Sequence, residues 1–583
     1  MKILGISLGH DSNFSLIQDG KVINVYEAER FYRKKRFKLQ AFSGQKEILS
    51  GFQVVKESDL LETLLYLKNA WGSSYDHIAV QNQGRVEEFQ ELKKILKIIN
   101  FSYDTIDNYA HHLCHASSSY FTSPFDDSLI LSFDGAGNDG QTILFHAKNN
   151  KINYIKNYPI KFGQAYNNLG YIVGLSPDVA GSTAGKLMGL ASYGNFRSEW
   201  AGYAKKYIKN YKKIVPKIKS GVLNSYGKFH QINSKDFSNI DIFRKNKKNN
   251  NFILSFFEKF GLFYNPIRLG GDKDEDAQDL ARTVQLVWTE EVLKIIKEFS
   301  HLSKNFCIVG GCALNGVTNY EIEKKNVFEN IHYIPNPTDC GLSTGAALLS
   351  YYQKSNSAYN GYGSFFSPYL GDFAYDLKNI NEYKNNYSYI NLENSNIHQK
   401  IANAIYNNAT IGVIRGRYEV GPRALGNRSI LCNPTNPKMR EILNQKVKNR
   451  EWYRPFAPVS TIEESKKFFT NKNEIPYMSV ICETRDSFRT IIPSVTHTDG
   501  SARLQTVSES SNNFLWKTIN EFKKISNYPV LLNTSFNPGG EPILNFCKVG
   551  LSMLDQTELD FVLIDNMIFS TKKNKHKLNS LFF

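Results

Sequence analysis

Two histidines four residues apart, His111 and His115, fall on one face of any helix that carries them. Downstream, the alternating apolar run Ser128–Phe133 reads as a strand and ends on Asp134, followed by Gly135-Ala136-Gly137. Two imidazoles one turn apart and a strand-end carboxylate form a ligand set for a divalent ion such as Fe, Mn or Zn. Glycines after the aspartate, Gly135 first, let backbone N–H groups approach a phosphate closely. Asp339 follows the turn Pro335-Asn336-Pro337 and precedes a helical stretch. It stands where an N-cap residue would stand, and it is equally a candidate fourth oxygen ligand. In the last third, Arg415–Ser429 packs four arginines and three glycines into fifteen residues beside the strand-like Ala409–Ile414. That density predicts a pocket for a multiply anionic ligand, with arginine giving a bidentate grip. Polar, glycine-bearing tips further on add Lys448, Arg503, Asn533 and Ser535. With Arg423 these make converging donors for a phosphate and a small carbonyl group.

These residues need elements to hold them. Residues 2–28 read as a meander, Lys2–Leu8, Phe14–Gln18 and Lys21–Tyr26, with Asp19-Gly20 as its tight turn. The plan recurs at 128–158, strand to Asp134, polar-glycine loop, Thr142–Phe145, a turn at Asn149-Asn150, then Ile152–Tyr158. Such a repeat suggests two related lobes aiming their first hairpin loops at a shared cleft, as in the actin/sugar-kinase/Hsp70 type of fold. Two ordinary meanders would give the same pattern. Apolar residues at helical spacing over 277–301 predict a core helix leading into the strand Asn305–Val309. Gly310-Gly311 then opens GGCALNG, through Asn315, where bare backbone can admit an adenine-ribose or simply make a tight turn. GSTAGK at 181–186 lacks the P-loop frame. A helix is expected over 437–447, a peripheral Lys/Asn-rich insertion over about 201–260, and a domain boundary near 360, giving units 1–360 and 361–583.

At 583 residues and 41% hydrophobic content the chain is folded and multi-domain. Its formal charge of +16 lies largely in Lys/Asn-rich patches, which read as solvated faces and argue against nucleic acid as a partner. Seven cysteines without a CxxC pair point to a reducing compartment. With no signal peptide and no spanning run, a cytoplasmic location without membrane contact is expected.

Taken in order, LGISLGHDSNFSLIQDG, AERFYRKK, AHHLCHASSSYFTSPF, SFDGAGN, GGCALNG, PNPTDCGLSTGAA, GRYEVGPRALGNRSIL, VKNREWYRPFAP, VTHTDGSARLQTV and NTSFNPGGEPI resemble the O-carbamoyltransferases of the nodulation-factor and antibiotic type, almost end to end. The resemblance implies an α/β protein with an N-terminal ASKHA-like (actin/Hsp70-type, duplicated) domain and a C-terminal YrdC-like domain. It implies that carbamoyl phosphate and ATP, with Mg2+, react in the C-terminal domain to give carbamoyl-adenylate and pyrophosphate. The carbamoyl group then passes to a hydroxyl of a small natural-product or sugar acceptor in the N-terminal domain. By motif, Arg423, Lys448, Arg503, Asn533 and Ser535 would hold carbamoyl phosphate and ATP. His111, His115, Asp134 and Asp339 would hold Fe2+ or Mn2+, and His10 would act as base with Lys35 nearby. Cys114, Cys312 and Cys340 stand in or beside the site motifs, Cys114 where the motif often has Ala. The readings that compete are an ASKHA-type small-molecule kinase and a basic nucleic-acid-binding protein; an oligomer is compatible with all three.

Overall fold

In the computed structural model, β1 (Lys2–Ser7), β2 (Asn13–Gln18) and β3 (Lys21–Glu27) form the expected meander. Asp19 and Gly20 turn it with φ of 49° and 77°, the left-handed pair that a two-residue hairpin requires. The structure describes residues 1–42, 47–50, 53–82, 84–135, 137–178, 181–211, 271–355, 357–362, 366–393 and 395–583. On the other edge, β1 pairs in parallel with β4 (His77–Gln81), and β4 with β5 (Thr105–Asn108), giving the order β3-β2-β1-β4-β5.

The second sheet repeats this order and sense. β6 (Asp127–Phe133), β7 (Thr142–Lys148) and β8 (Lys151–Tyr158) form the meander, and β9 (Asn305–Val309) and β10 (Asn330–His332) continue in parallel from β6. Identical strand order in two five-stranded sheets is a duplication, so the N-terminal part is ASKHA-like. Between the sheets lie α1 (His111–Tyr120) and, late in the chain, α5 (Leu342–Lys354). They touch backbone to backbone, because a Cβ on Gly345 would lie 1.8 Å from the Cys114 carbonyl. α2 (Ala184–Leu190), α3 (Glu275–Glu298) and α4 (Gly316–Lys324) cover the second sheet, with Trp288 and Phe133 in one core.

The third sheet is mixed, built from β11 (Ser388–Asn391), β12 (Ile411–Ile414), β13 (Arg428–Cys432), β14 (Ala457–Thr461), β15 (Gln505–Val507), β16 (Val530–Ser535), β17 (Phe561–Ile564) and β18 (Met567–Ser570). Its order is β11-β18-β17-β12-β13-β16-β14-β15.

Three expectations are corrected. The helix over 437–447 is a short α-turn that widens to a π-helix at Ile442–Val447, since Lys448 N–H reaches back to the Leu443 carbonyl (2.8 Å). The sequence also predicts a strand over His332–Ile334 before the Pro335-Asn336-Pro337 turn, and β10 lies two residues earlier, at Asn330–His332. Residues 201–209 belong to the helix Ser198–Lys209, whose Trp200, Ala204 and Tyr207 face the core; the rest of that insertion, 212–260, lies outside the described residues.

Candidate functional site

His111 and His115 project from the first turns of α1 beneath the end of β6. The helix start lacks a cap of its own, and the loop after β6 supplies one. Asn138 Oδ1 accepts from His111 N–H (3.0 Å), and Asp139 accepts from His112 N–H (2.9 Å) and Leu113 N–H (3.3 Å). This lashing brings Asp134 to the histidines. Sequence reasoning passed over Asn138 and Asp139, although a polar pair in a glycine loop was its visible trace.

Asp339 lies between β10 of the second sheet and α5, and the first sheet holds it in place. Its carbonyl accepts from Asn13 Nδ2 (2.7 Å), and Asn13 Oδ1 accepts from Ser343 N–H at the start of α5 (3.0 Å). Its side chain does not cap that helix, which leaves the carboxylate free to face the histidines. His115 Nε2 lies 3.3 Å from both Asp134 Oδ2 and Asp339 Oδ1, and His111 Nε2 lies 3.6 and 3.7 Å from the same atoms. One ligand atom from each of the four lies within 4.8 Å of the others. Ligands about 2.1 Å from a common centre in tetrahedral array are about 3.4 Å apart, so the spacing fits a coordinated divalent ion. Both Nε2 atoms and Asp339 Oδ1 are buried without a hydrogen-bond donor or acceptor of good geometry, the condition of ligands awaiting an ion. Burial opposes charge on His115, yet the two aspartates overcome it and push it up to about 9.

His10, in the first hairpin loop, joins this group: its Nε2 is 3.3 Å from Asp339 Oδ2 and its Nδ1 3.0 Å from Asp11 Oδ2. Asp339 first, with Asp11, raises this half-exposed ring to about 9. Coordination of Asp339 would cancel the larger of those causes. Gly135 N–H turns back to Asp134 Oδ1 (2.6 Å), and the space over Gly135 is open. Gly311 flanks the same oxygen, 2.8 Å from where its Cβ would lie. Gly310 has φ 95° and no room for a side chain, its Cβ position being 2.2 Å from the Phe133 carbonyl. Asn315 is fully occupied as the cap of α4: its Oδ1 accepts from Thr318 N–H (3.2 Å), and its amide exchanges hydrogen bonds with Gln285 (3.1 Å).

The arginine run divides. Arg428 is fully buried, and its guanidinium donates to the carbonyls of Arg415, Gly416 and Asn427 and to Asn545 Oδ1. Arg417 grips the carbonyls of Gly371, Leu370 and Ile23, and Arg415 that of Asp565. Three of the four arginines therefore brace backbone and do not line a pocket. Arg423 is different. Its Nε and Arg503 Nη1 are buried without partners, and the two share a site with Arg454. Burial, then Arg454, lowers Arg423 to about 10; burial, then Arg423 and Arg454, lowers Arg503. Crowded cations of this kind make an anion site.

Lys448, delivered by the π-turn, donates to the Ser535 carbonyl and to Asn537 Oδ1 (2.7 Å). Ser535 Oγ donates to the same Asn537 oxygen (2.7 Å). Asn533 spends its amide N–H groups on Gln505 Oε1 (2.7 Å) and the Ala424 carbonyl (3.1 Å), leaving Oδ1 unpaired. Lys35 stands between the two sites. Its ammonium is 4.0 Å from Asp178, Arg454 helps to lower its pKa after burial, and it in turn helps to lower that of Lys448. Arg454 and Asp178 were not singled out from sequence. All seven cysteines are free, and among the described residues no helix is long and apolar enough to cross a membrane.

Family models described as carbamoyltransferase N-terminus and carbamoyltransferase C-terminus match residues 69–348 and 402–571. The nodulation protein NolNO of Sinorhizobium fredii is 27% identical over 97% of this chain and 79% of its own. Nodulation protein U of the same species is 24% identical over 98% and 99%. Among solved structures, an activator of 2-hydroxyisocaproyl-CoA dehydratase from Clostridium difficile aligns with 61% of this chain and 96% of its own at 13% identity and a TM-score of 0.32. With the N- and C-terminal models matched in order over most of its length, this chain belongs to the carbamoyltransferase family and is a carbamoyltransferase enzyme.

Proposed function

We propose that the enzyme is an ATP-dependent O-carbamoyltransferase with two stations. At the C-terminal basic site, carbamoyl phosphate, ATP and one water become carbamoyl-adenylate, pyrophosphate and phosphate. At the N-terminal cradle, a hydroxyl of a small acceptor takes the carbamoyl group and AMP leaves. The observation that carries this reading is the convergence of His111, His115, Asp134 and Asp339 on one point, with His10 bonded to its rim.

In the first station Arg423, Arg454 and Arg503 offset the charge of the triphosphate and the carbamoyl phosphate. Lys448 and Ser535 place the carbamoyl end, and Asn533 Oδ1 is an acceptor for its N–H. In the second station the four ligands would hold Fe2+ or Mn2+, which as a Lewis acid would polarise the adenylate phosphate. Gly135 leaves room for that phosphate beside Asp134. His10 takes the proton of the acceptor hydroxyl as its oxygen attacks the carbamoyl carbon. Lys35 lies against the departing adenylate and stabilises its charge.

Incubation with ATP, Mg2+ and carbamoyl phosphate alone tests the division of labour through release of pyrophosphate. Arg503→Ala or Lys448→Ala should lower that release at least 100-fold, each group supplying several kcal/mol of charge stabilisation. His111→Ala should leave it within about threefold while transfer to an acceptor stops. Equal loss of both half-reactions in His111→Ala would refute the assignment.

A further inference from the structure

A cavity lies between the two units, on the face of Arg503 turned towards α2. Met188, Pro455, Ile481, His497, Asp499 and Arg503 line it, so apolar and charged side chains share its walls. Arg503 Nη2 touches Met188 Sδ (3.7 Å) at its edge, and Arg503 Nη1 has no partner.

His497 is more than nine-tenths buried, and its ring is oriented by a chain of bonds. Asp499 lies with Oδ2 3.6 Å from Arg282 and accepts the Ser501 hydroxyl at Oδ1 (2.6 Å). Ser501 has one hydroxyl proton, and that bond uses it. Its oxygen can therefore only accept from His497 Nδ1, 2.9 Å away. The proton on Nδ1 leaves Nε2 with a lone pair, and Nε2 is buried without a hydrogen-bond partner. Burial, followed by Arg503 and Arg440 against the opposing pull of Asp499, lowers the ring to about 4 and keeps it neutral. A hydrogen-bond acceptor has thus been fixed among arginines that can only donate. Asn533 Oδ1, another unpaired acceptor of this unit, does not line the cavity.

We infer that His497 Nε2 accepts a hydrogen bond from the amino group of a substrate bound at Arg503, either the adenine of ATP or the carbamoyl group. Both end in –NH2, and this assignment rests on the proposed carbamoyl-adenylate chemistry. It makes His497 a specificity residue: a ligand without the amino group leaves Nε2 buried and unpaired.

Calorimetric titration of the full chain separates the two sources. One arm compares ATP with purine riboside triphosphate, which lacks the 6-amino group; the other compares carbamoyl phosphate with acetyl phosphate, which has methyl in its place. The unsubstituted enzyme should prefer the amino-bearing member of one pair by about tenfold. His497→Leu should bring that ratio close to one, whatever its effect on absolute affinity. Ser501→Ala keeps the ring but frees its tautomer, and should lower the same ratio several-fold in a chain that folds even if His497→Leu does not. Loss in the nucleotide arm assigns His497 to adenine, and loss in the other assigns it to the carbamoyl group. Ratios unchanged in both arms by either substitution overturn the inference alone. If the unsubstituted chain binds neither ATP nor carbamoyl phosphate, the reading beneath it falls as well.

Discussion

Arg428→Leu separates a ligand-binding arginine from a structural one. Arg428 makes five side-chain hydrogen bonds of 2.8–3.0 Å to four oxygens, those of Arg415, Gly416, Asn427 and Asn545. The last of these ties the strand β13 to the segment before the helix Cys547–Gln556. Leucine replaces the aliphatic stem but no donor, so the Arg415 and Gly416 carbonyls and Asn545 Oδ1 lose their side-chain partner, while the Asn427 carbonyl keeps the Arg415 N–H (3.1 Å). At about 1 kcal/mol for each of three acceptors left unpaired the cost is about 3 kcal/mol, within the range for breaking a buried charged network. A unit of roughly 200 residues loses about 2–4 °C of Tm per kcal/mol, so the transition should fall by roughly 10 °C. Scanning fluorimetry and urea titration measure this. Carbamoyl phosphate affinity at low temperature, where the protein is folded, should stay within about threefold. An unchanged Tm together with a tenfold loss of affinity would show that Arg428 reaches the ligand after all.

Gly310→Ala forces a Cβ within 2.2 Å of the Phe133 carbonyl at a φ of 95°, so the strand end carrying Asp134 must move. Carbamoyl transfer should fall at least 100-fold with pyrophosphate release largely kept; a fully active variant would remove the glycine from the argument. Arg30→Met removes a buried guanidinium bonded to Glu27 (2.9 Å) and to the Gly421 carbonyl (2.6 Å), at about 3–5 kcal/mol, read as an earlier urea transition. Less than about 1 kcal/mol would show that this contact does not hold the units together. Lys448 is lowered from 10.5 by burial, then by Arg450, Lys35 and Arg454. A lysine depressed on folding destabilises the fold below its folded pKa and ceases to above its ordinary one, so stability rises with pH across that interval. A bound anion reverses the depression, and carbamoyl phosphate binding at about pH 9 should take up a fraction of a proton. Calorimetry in two buffers of different ionisation enthalpy measures it, and proton release would contradict the assignment.

What could be read from sequence follows the range of the forces involved. His111 and His115 share a face because helical periodicity is local, and Asp134 ends a strand whose alternation is local. Their meeting was therefore legible, as was the duplicated meander. Asp339 needed more, since Asn13 in the first sheet holds its carbonyl and no neighbour in sequence announces that. The arginine run shows the opposite failure. Its density was visible, but whether a guanidinium meets a ligand or a carbonyl depends on distant partners. Arg417 finds Ile23 and Gly371, and Arg415 finds Asp565. Asn315 was offered as a ligand contact, while its hydrogen bonds go to the Thr318 N–H and Gln285, a capping pattern written in its own motif. The π-turn that presents Lys448 leaves no trace in a pattern spaced for an ordinary helix.

In the proposed scheme the segment from Arg30 to Arg36 would join the two stations. It leaves β3 through two left-handed non-glycine residues, Arg33 (φ 58°) and Arg36 (φ 54°), a conformation that persists only when its surroundings impose it. The surroundings come from both units: Arg30 reaches Gly421, Arg33 reaches Glu541 and Pro542, and Glu29 accepts the Arg36 N–H (3.0 Å). Lys35 is thereby fixed near Arg454 and Lys448 on one side. On the other, Arg36 lies in the field of Asp11, Asp178, Asp134 and Asp339, which raises its pKa. Under the proposed chemistry, a mixed anhydride that water would destroy needs its making and its use held in fixed relation. A strained, doubly anchored cationic strap next to both the basic pocket and the carboxylate–histidine cradle meets that need with residues already required for the fold.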